Sequence, residues 1–291
     1  MTGPSTGRFT ERTPRVAAAR RLTRRAGRDA AGLFLAEGPQ AVREALAAPV
    51  RPRELFVTTA AAGRHPDLVE AARAAGVPVS AVTDRAAAGL SETATPQGLV
   101  AVCAALDVPL AAALARPAGA AGGPRLAALL ADVRDPGNAG TVLRSADAAG
   151  ADAVVLAGDS VDPYNGKAVR ASAGSLFHLP VVRGAPLPDA LAAARAAGLR
   201  VLAADGAGEH DLDELAGAGG LAVPTAWLFG NEAWGLPAEV GALADARVRI
   251  PISARAESLN LAAAAAVCLF ASARALRALP AGAERPQRAI S

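Results

Sequence analysis

Residues 126–149 read LAALLADVRDPGNAGTVLRSADAA. The first six are apolar without alternation, the pattern of a strand covered on both faces. A polar stretch follows, the chain turns at Pro136-Gly137, and small and apolar residues then predict a helix from about Ala139 with Asn138 as its cap. A buried strand passing through a polar loop into a helix is the building unit of an α/β sheet, in which ligands gather at the carboxyl ends of the strands.

The same rhythm extends in both directions. Downstream, strands are expected at 153–156, 200–204, 225–229 and 247–250, with helices at 190–197 and 258–276. This alternation predicts a mostly parallel sheet covered on both faces. Upstream, LFLAE, PQAVREALAA, RELFVT, PDLVEAARAAG, VPVSAV and QGLVAVCAAL alternate apolar runs with helical stretches from Leu33 to Leu106. Between the two units, the run ending PAGAAGGP at Pro124 has the composition of a linker. The organisation read from this is a basic segment at 1–28, an α/β domain at 29–106, a linker at 107–124, a larger α/β domain at 125–279 and a tail at 280–291. No internal repeat is found.

The chain of 291 residues is 52% hydrophobic and 20% charged, enough for a large core. No run reaches the roughly 18 apolar residues of a membrane span, and the amino terminus lacks the apolar stretch of a secretory signal. A cytoplasmic protein is expected. Cys103 and Cys268 stand alone in apolar segments, outside any paired spacing for zinc or redox chemistry. The net charge is only +3, but eight arginines against the single acid Glu11 fall between Arg8 and Arg28. Such a stretch suits a polyanion, with Arg20, Arg21, Arg24 and Arg25 as its candidate contacts; it equally suits a solvated helix face. Lys167 is the only lysine, which a GC-rich genome would also produce.

Three blocks carry candidate chemistry. The first, just quoted, presents Asn138, the small Gly140 and, within two helical turns, Arg144, which could reach a phosphate. Alone it also fits a capped helix with a surface arginine. The second, AWLFGNEAWGLP at 226–237, is an apolar strand ending in Gly230-Asn231-Glu232, a site where a flat base could lie against apolar walls. It equally fits an ordinary strand–loop–helix connection with Trp234 in the core. The third, VRIPISARAESLNLA at 248–262, repeats strand, loop and helix, with Ser258 as the expected cap and Asn260 beside it. His65, His178 and His210 lie outside the blocks and receive no catalytic role.

Taken in order, NAGTVLRSADAAGADAVVL, VDPYNGKAVRASAGSLFHLPVV, LFGNEAWGLP and RIPISARAESLNLAAAAAVCLF resemble the SpoU (TrmH-type) family of RNA ribose 2′-O-methyltransferases across residues 125–276. The first hundred residues resemble the substrate-binding domain that many members carry, related to a ribosomal-protein (L30e-like) fold. The resemblance implies an α/β sheet of the SPOUT type with a C-terminal trefoil knot, a homodimer with active sites at its interface, and no metal. It implies S-adenosylmethionine in the knot, with Gly230, Ile250 and Leu259 at cofactor-contacting positions and Leu228, Ile252 and Asn260 close by. Arg144 is implied in activating the ribose hydroxyl, Asn138 in holding Arg144 or the ribose, Glu232 in orienting Asn or Arg groups, and Ser258 with Asn260 in fixing the loop. Two positions depart from the family pattern: Gly166 stands where Pro is usual, and Ala254 where Gly is usual, where it could narrow the cofactor loop.

The implied reaction is methyl transfer to a ribose of RNA, with 23S ribosomal RNA expected, antibiotic resistance being one context for it. A transfer RNA substrate and a non-catalytic RNA-binding or assembly protein on the same fold are the alternatives. A dinucleotide-dependent oxidoreductase is excluded, because no glycine-rich fingerprint follows the first strand of either unit.

Overall fold

The computed structural model describes residues 7–115, 125–253 and 255–278. Residues 1–6, the second half of the linker at 116–124, Ala254 and residues 279–291 lie outside them, and so do the expectations attached to those positions. The described residues form two compact units, one within residues 1–106 with 162–178, the other within residues 107–161 with 179–291.

The first unit is built on a four-stranded sheet. Strands β1 (Leu33–Glu37), β2 (Glu54–Thr58), β3 (Val79–Val82) and β4 (Leu99–Ala104) lie in the order β1-β4-β2-β3. β4 runs antiparallel to both neighbours, and β2 pairs with β3 in parallel. The arginine-rich stretch is not a separate segment. Its helices Pro14–Arg20 and Arg25–Ala31, with a 3₁₀ turn at Arg21–Thr23 between them, bury Val16, Ala19 and Leu22 against Leu35, Phe56 and Val100 of the sheet. Arg20, Arg21, Arg24 and Arg25 remain on the exposed side.

Sequence order assigns residues 162–178 to the larger domain, but in space they belong to the first unit. The reason is a buried polar and aromatic junction. Arg28 Nε donates to Asp162 Oδ2 at 2.7 Å. Tyr164 stacks on Phe34 with centroids 4.6 Å apart, and its hydroxyl accepts from the Leu106 N–H at 2.6 Å. Arg170 pairs with Glu37 at 3.1 Å.

The second unit is a seven-stranded sheet, β5 (Leu126–Ala131), β6 (Ala153–Ala157), β7 (Val181–Ala185), β8 (Arg200–Ala204), β9 (His210–Asp211), β10 (Thr225–Phe229) and β11 (Ala246–Arg249). Their order is β7-β6-β5-β10-β8-β11-β9, and every pairing is parallel. The central strands β5, β6 and β10 are buried at every position, which is why their sequences show no alternation. The final helix, Leu261–Arg277, packs on the helix Pro136–Ala149 and on β10. Its buried Ser272 accepts a hydrogen bond from the Trp227 indole at 2.9 Å. Burial pushes the thiols of Cys103 and Cys268 up to about 12, so both are inert core groups. Among the described residues, no helix is long and apolar enough to cross a membrane.

Candidate active site

The loops that leave β8, β10 and β11 open at the carboxyl ends of neighbouring parallel strands, the place where an α/β sheet presents ligand sites. They enclose a cavity of about 630 Å³, lined by Asp205 and Gly206 after β8, Gly230–Ala233 and Gly235 after β10, and Ile250–Ile252 after β11, with Glu257–Leu259 closing one side.

The loop after β10 is tied into a tight turn. Asn231 and Gly235 each donate a backbone N–H to the other's carbonyl at 2.9 Å. Gly235 takes φ +68°, and a Cβ on Gly230 would lie 2.4 Å from the Gly235 carbonyl. Both positions therefore require glycine. Asn231 is buried and holds the turn in place, its amide donating to the Asp132 carbonyl at 2.7 Å and accepting from the Ala233 N–H at 2.8 Å.

A polar chain joins all three blocks. Glu232 accepts from the backbone N–H groups of Arg134 at 3.1 Å and Asp135 at 3.0 Å, and from the Asn138 amide at 3.2 Å. The Asn138 oxygen in turn accepts from the Asn260 amide at 3.1 Å, and the Asn260 oxygen caps the final helix through the Ala262 N–H at 2.9 Å. Burial pushes the Glu232 carboxyl up, but the donors on Arg134, on Glu232 itself, on Asp135 and on Asn138 outweigh it and hold the pKa below its ordinary value. Glu232 is thus a carboxylate at neutral pH, an orienting anchor for Asn138.

Four expectations are corrected by this geometry. Asp135, not Asn138, caps the first helix, which begins at Pro136, and its carboxylate accepts from the Asn138 N–H at 2.8 Å. An Asp before a Pro at the first helical position is the stronger start signal, since Pro has no N–H to satisfy and a preset φ. Asn260, not Ser258, caps the final helix, and Ser258 lines the cavity from an exposed loop. Leu228 is fully buried in the sheet core and does not line the cavity, because β10 is covered on both faces. Asn138 does not hold Arg144, since its amide serves Glu232 and Asn260.

Arg144 is exposed, and its side chain makes no hydrogen bond or ion pair among the described residues. It stands six residues beyond Asn138 on one helix, about 9 Å along the axis at 1.5 Å per residue. Gly230, Ile250, Ile252 and Leu259 all line the cavity. Of the two tryptophans, Trp227 is in the core and Trp234 is 61% exposed.

Sequence reading missed Asp132, Asp135 and Asn231. Asp132 adopts φ +54°, a left-handed conformation tolerated by Asp, while its side chain accepts from the Asp159 N–H at 2.8 Å. That turn presents the Arg134 and Asp135 N–H groups to Glu232.

Comparison with known proteins agrees with this arrangement. The pattern of the SpoU rRNA Methylase family matches residues 125–270, and that of the MRM3-like substrate binding domain matches residues 13–101. The chain is 35% identical over 237 residues to the 23S rRNA (guanosine(2553)-2′-O)-methyltransferase RlmP of Bacillus subtilis, covering 81% of this chain and 87% of that one. It superposes on the AdoMet-bound rRNA methyltransferase from Sinorhizobium meliloti with a TM-score of 0.78 at 33% identity, over 94% of this chain and 99% of that one. The SpoU methyltransferase AviRb of Streptomyces viridochromogenes, in complex with AdoMet, gives 0.75 at 30% identity, over 90% and 98% of the two chains. The parallel sheet, the three loop blocks and these similarities along both units lead to one assignment: the chain belongs to the SpoU rRNA methylase family.

Proposed function

We propose that this protein transfers a methyl group from S-adenosylmethionine to a ribose 2′-hydroxyl of 23S ribosomal RNA. The observation that carries the reading is the Glu232–Asn138–Asn260 chain, which ties the three loop blocks together beside one cavity. The cavity fits the cofactor. At about 630 Å³ it lies within the usual range for ligand pockets, roughly 300–1,000 Å³. Its walls combine the apolar Ile250, Ile252 and Leu259, suited to a flat base, with the acids Asp205, Asp211 and Glu257 and with Arg249, which pairs with Asp211 at 3.3 Å.

When bound, S-adenosylmethionine supplies a methyl group on a positively charged sulfur. Gly230, Ile250, Ile252 and Leu259 would hold it. Arg144 acts on the other reactant: its planar, cationic guanidinium grips an RNA phosphate and stabilises charge developing on the ribose oxygen. Glu232 fixes Asn138, and Asn260 fixes the start of the final helix, so the loop carrying Ser258 faces the reacting nucleotide.

The reading includes a trefoil knot. In support, the segment after β11 shares the cavity with the loops after β8 and β10, and the final helix then packs back on β10, beyond β8. It includes an L30e-like first domain, consistent with its mixed four-stranded sheet, whose Arg20, Arg21, Arg24 and Arg25 meet RNA phosphates. It includes a homodimer, supported by Val267 and Phe270 of the final helix at 41% and 44% exposure, and action in the cytoplasm on ribosomal RNA.

Calorimetric titration with S-adenosylmethionine tests the cofactor assignment. Wild-type protein is expected to bind, and Ile250→Asp to bind at least about tenfold more weakly, because a carboxylate replaces apolar wall. Equal binding by the variant would remove Ile250 from the site.

A further inference from the structure

The first unit holds a second cavity, of about 420 Å³, that lies at the end of its sheet where β2 begins. Its construction is local. The 3₁₀ turn at Arg21–Thr23 and the helix Arg25–Ala31 form an elbow so close that a Cβ on Gly27 would lie 2.0 Å from the Arg21 carbonyl oxygen. Only glycine lets the elbow close, and the elbow borders an apolar slot whose accessible lining is Ala18, Ala30, Ala31 and Leu33, above the buried Leu22, Phe56 and Val102.

The rim is basic. Arg21 and Arg53 line the opening, both exposed, and neither side chain has a hydrogen-bond or ion-pair partner among the described residues. The one acid in the lining, Glu54, is engaged: it accepts from the Ser80 hydroxyl at 2.6 Å and pairs with Arg15 at 3.2 Å. An apolar slot with two unpaired guanidinium groups at its mouth matches a molecule with a flat apolar body and an anionic edge. Single-stranded RNA offers this when a base is splayed out, and arginine forks onto the phosphates beside it.

We propose that this cavity is a nucleotide site, taking one unpaired nucleotide of the substrate RNA with its base against Leu33, Ala18, Ala30 and Ala31 and its flanking phosphates on Arg21 and Arg53. The proposal rests on the reading of the chain as an RNA methyltransferase and adds a contact point outside the cofactor cavity. It anchors the RNA by a single-stranded segment, so duplex RNA is a poor ligand for it.

The test uses the full chain and fluorescein-labelled hexaadenylate, followed by anisotropy over a range of salt concentrations. Arg21→Gln/Arg53→Gln is expected to weaken binding about tenfold, and to make the slope of log affinity against log salt shallower by about 1.4, two phosphate contacts at about 0.7 each on a single strand. Arg73→Gln, a charge change on the exposed face of the helix Pro66–Ala74, should leave both unchanged. A hexanucleotide with a central 4-thiouridine, photo-crosslinked and mapped by mass spectrometry, should mark peptides containing Ala30, Ala31 and Leu33. Unchanged affinity and slope in the double variant, crosslinks confined to other parts of the chain, or loss of self-association in place of RNA binding would each overturn the proposal. Titration of the same samples with S-adenosylmethionine keeps the two readings apart, because failure of the methyltransferase reading removes cofactor binding and leaves the anisotropy untouched.

Discussion

Arg144→Ala is expected to lower methyl transfer to RNA by at least about 100-fold, the scale on which removal of a group stabilising transition-state charge acts. Three observations define the expectation. The side chain is exposed and has no intramolecular partner among the described residues, so nothing in the fold depends on it. Its backbone belongs to the 14-residue helix Pro136–Ala149, which starts at the polar chain of Glu232 and Asn138. It does not line the cavity at the carboxyl ends of β8, β10 and β11. Cofactor affinity should therefore stay within about twofold, and stability should stay within the roughly 0.5 kcal/mol usual for a surface change. Arg144→Lys should recover only part of the activity, because an ammonium keeps the charge and loses the planar fork. Single-turnover assays beside calorimetry separate these quantities, and a turnover within a few-fold of wild type would remove Arg144 from the mechanism.

Asp162→Ala is expected to destabilise the protein by about 3–5 kcal/mol, the cost of leaving one member of a buried ion pair without its partner. Arg28 and Asp162 are each only 4% exposed. The guanidinium donates to Asp162 at 2.7 Å and to the carbonyls of Leu22 and Thr23 at 3.0 and 3.1 Å, while Asp162 also accepts from the Tyr164 N–H at 3.0 Å. Without the carboxylate, the buried cation keeps two neutral acceptors and no counter-charge. Replacing both residues, as Arg28→Met with Asp162→Leu, should return much of the lost stability, since an apolar pair of similar volume needs no desolvated charge. Urea unfolding followed by circular dichroism measures both. A loss below about 1 kcal/mol for Asp162→Ala would mean that water reaches the pair.

What could be read from the sequence follows the range of the forces involved. β5 was legible to the residue, because Leu126–Ala131 is an unbroken apolar run ending at the polar Asp132. β10 was equally plain, for the same reason. β7 escaped: it is an edge strand whose polar Arg183 and left-handed Gly184 interrupt the apolar pattern. The choice of Asn260 over Ser258 as cap was not available from local chemistry, since both residue types cap helices well. It is made by a tertiary contact, the amide of Asn260 on Asn138, 122 positions away in the chain. The placement of 162–178 in the first unit likewise depends on Arg28, 134 positions from Asp162. An orienting role for Glu232 came only from the family resemblance, and its backbone donors depend on the left-handed turn at Asp132, which no local pattern announces.

The most direct test incubates the purified protein with S-adenosylmethionine and unmodified 23S ribosomal RNA, then maps 2′-O-methyl groups at nucleotide resolution. A single ribose 2′-O-methyl group, absent when Arg144→Ala replaces the wild type, is the expected result. Methylation of a base instead of a ribose, methylation of transfer RNA alone, or no transfer by a protein that still binds the cofactor would contradict it.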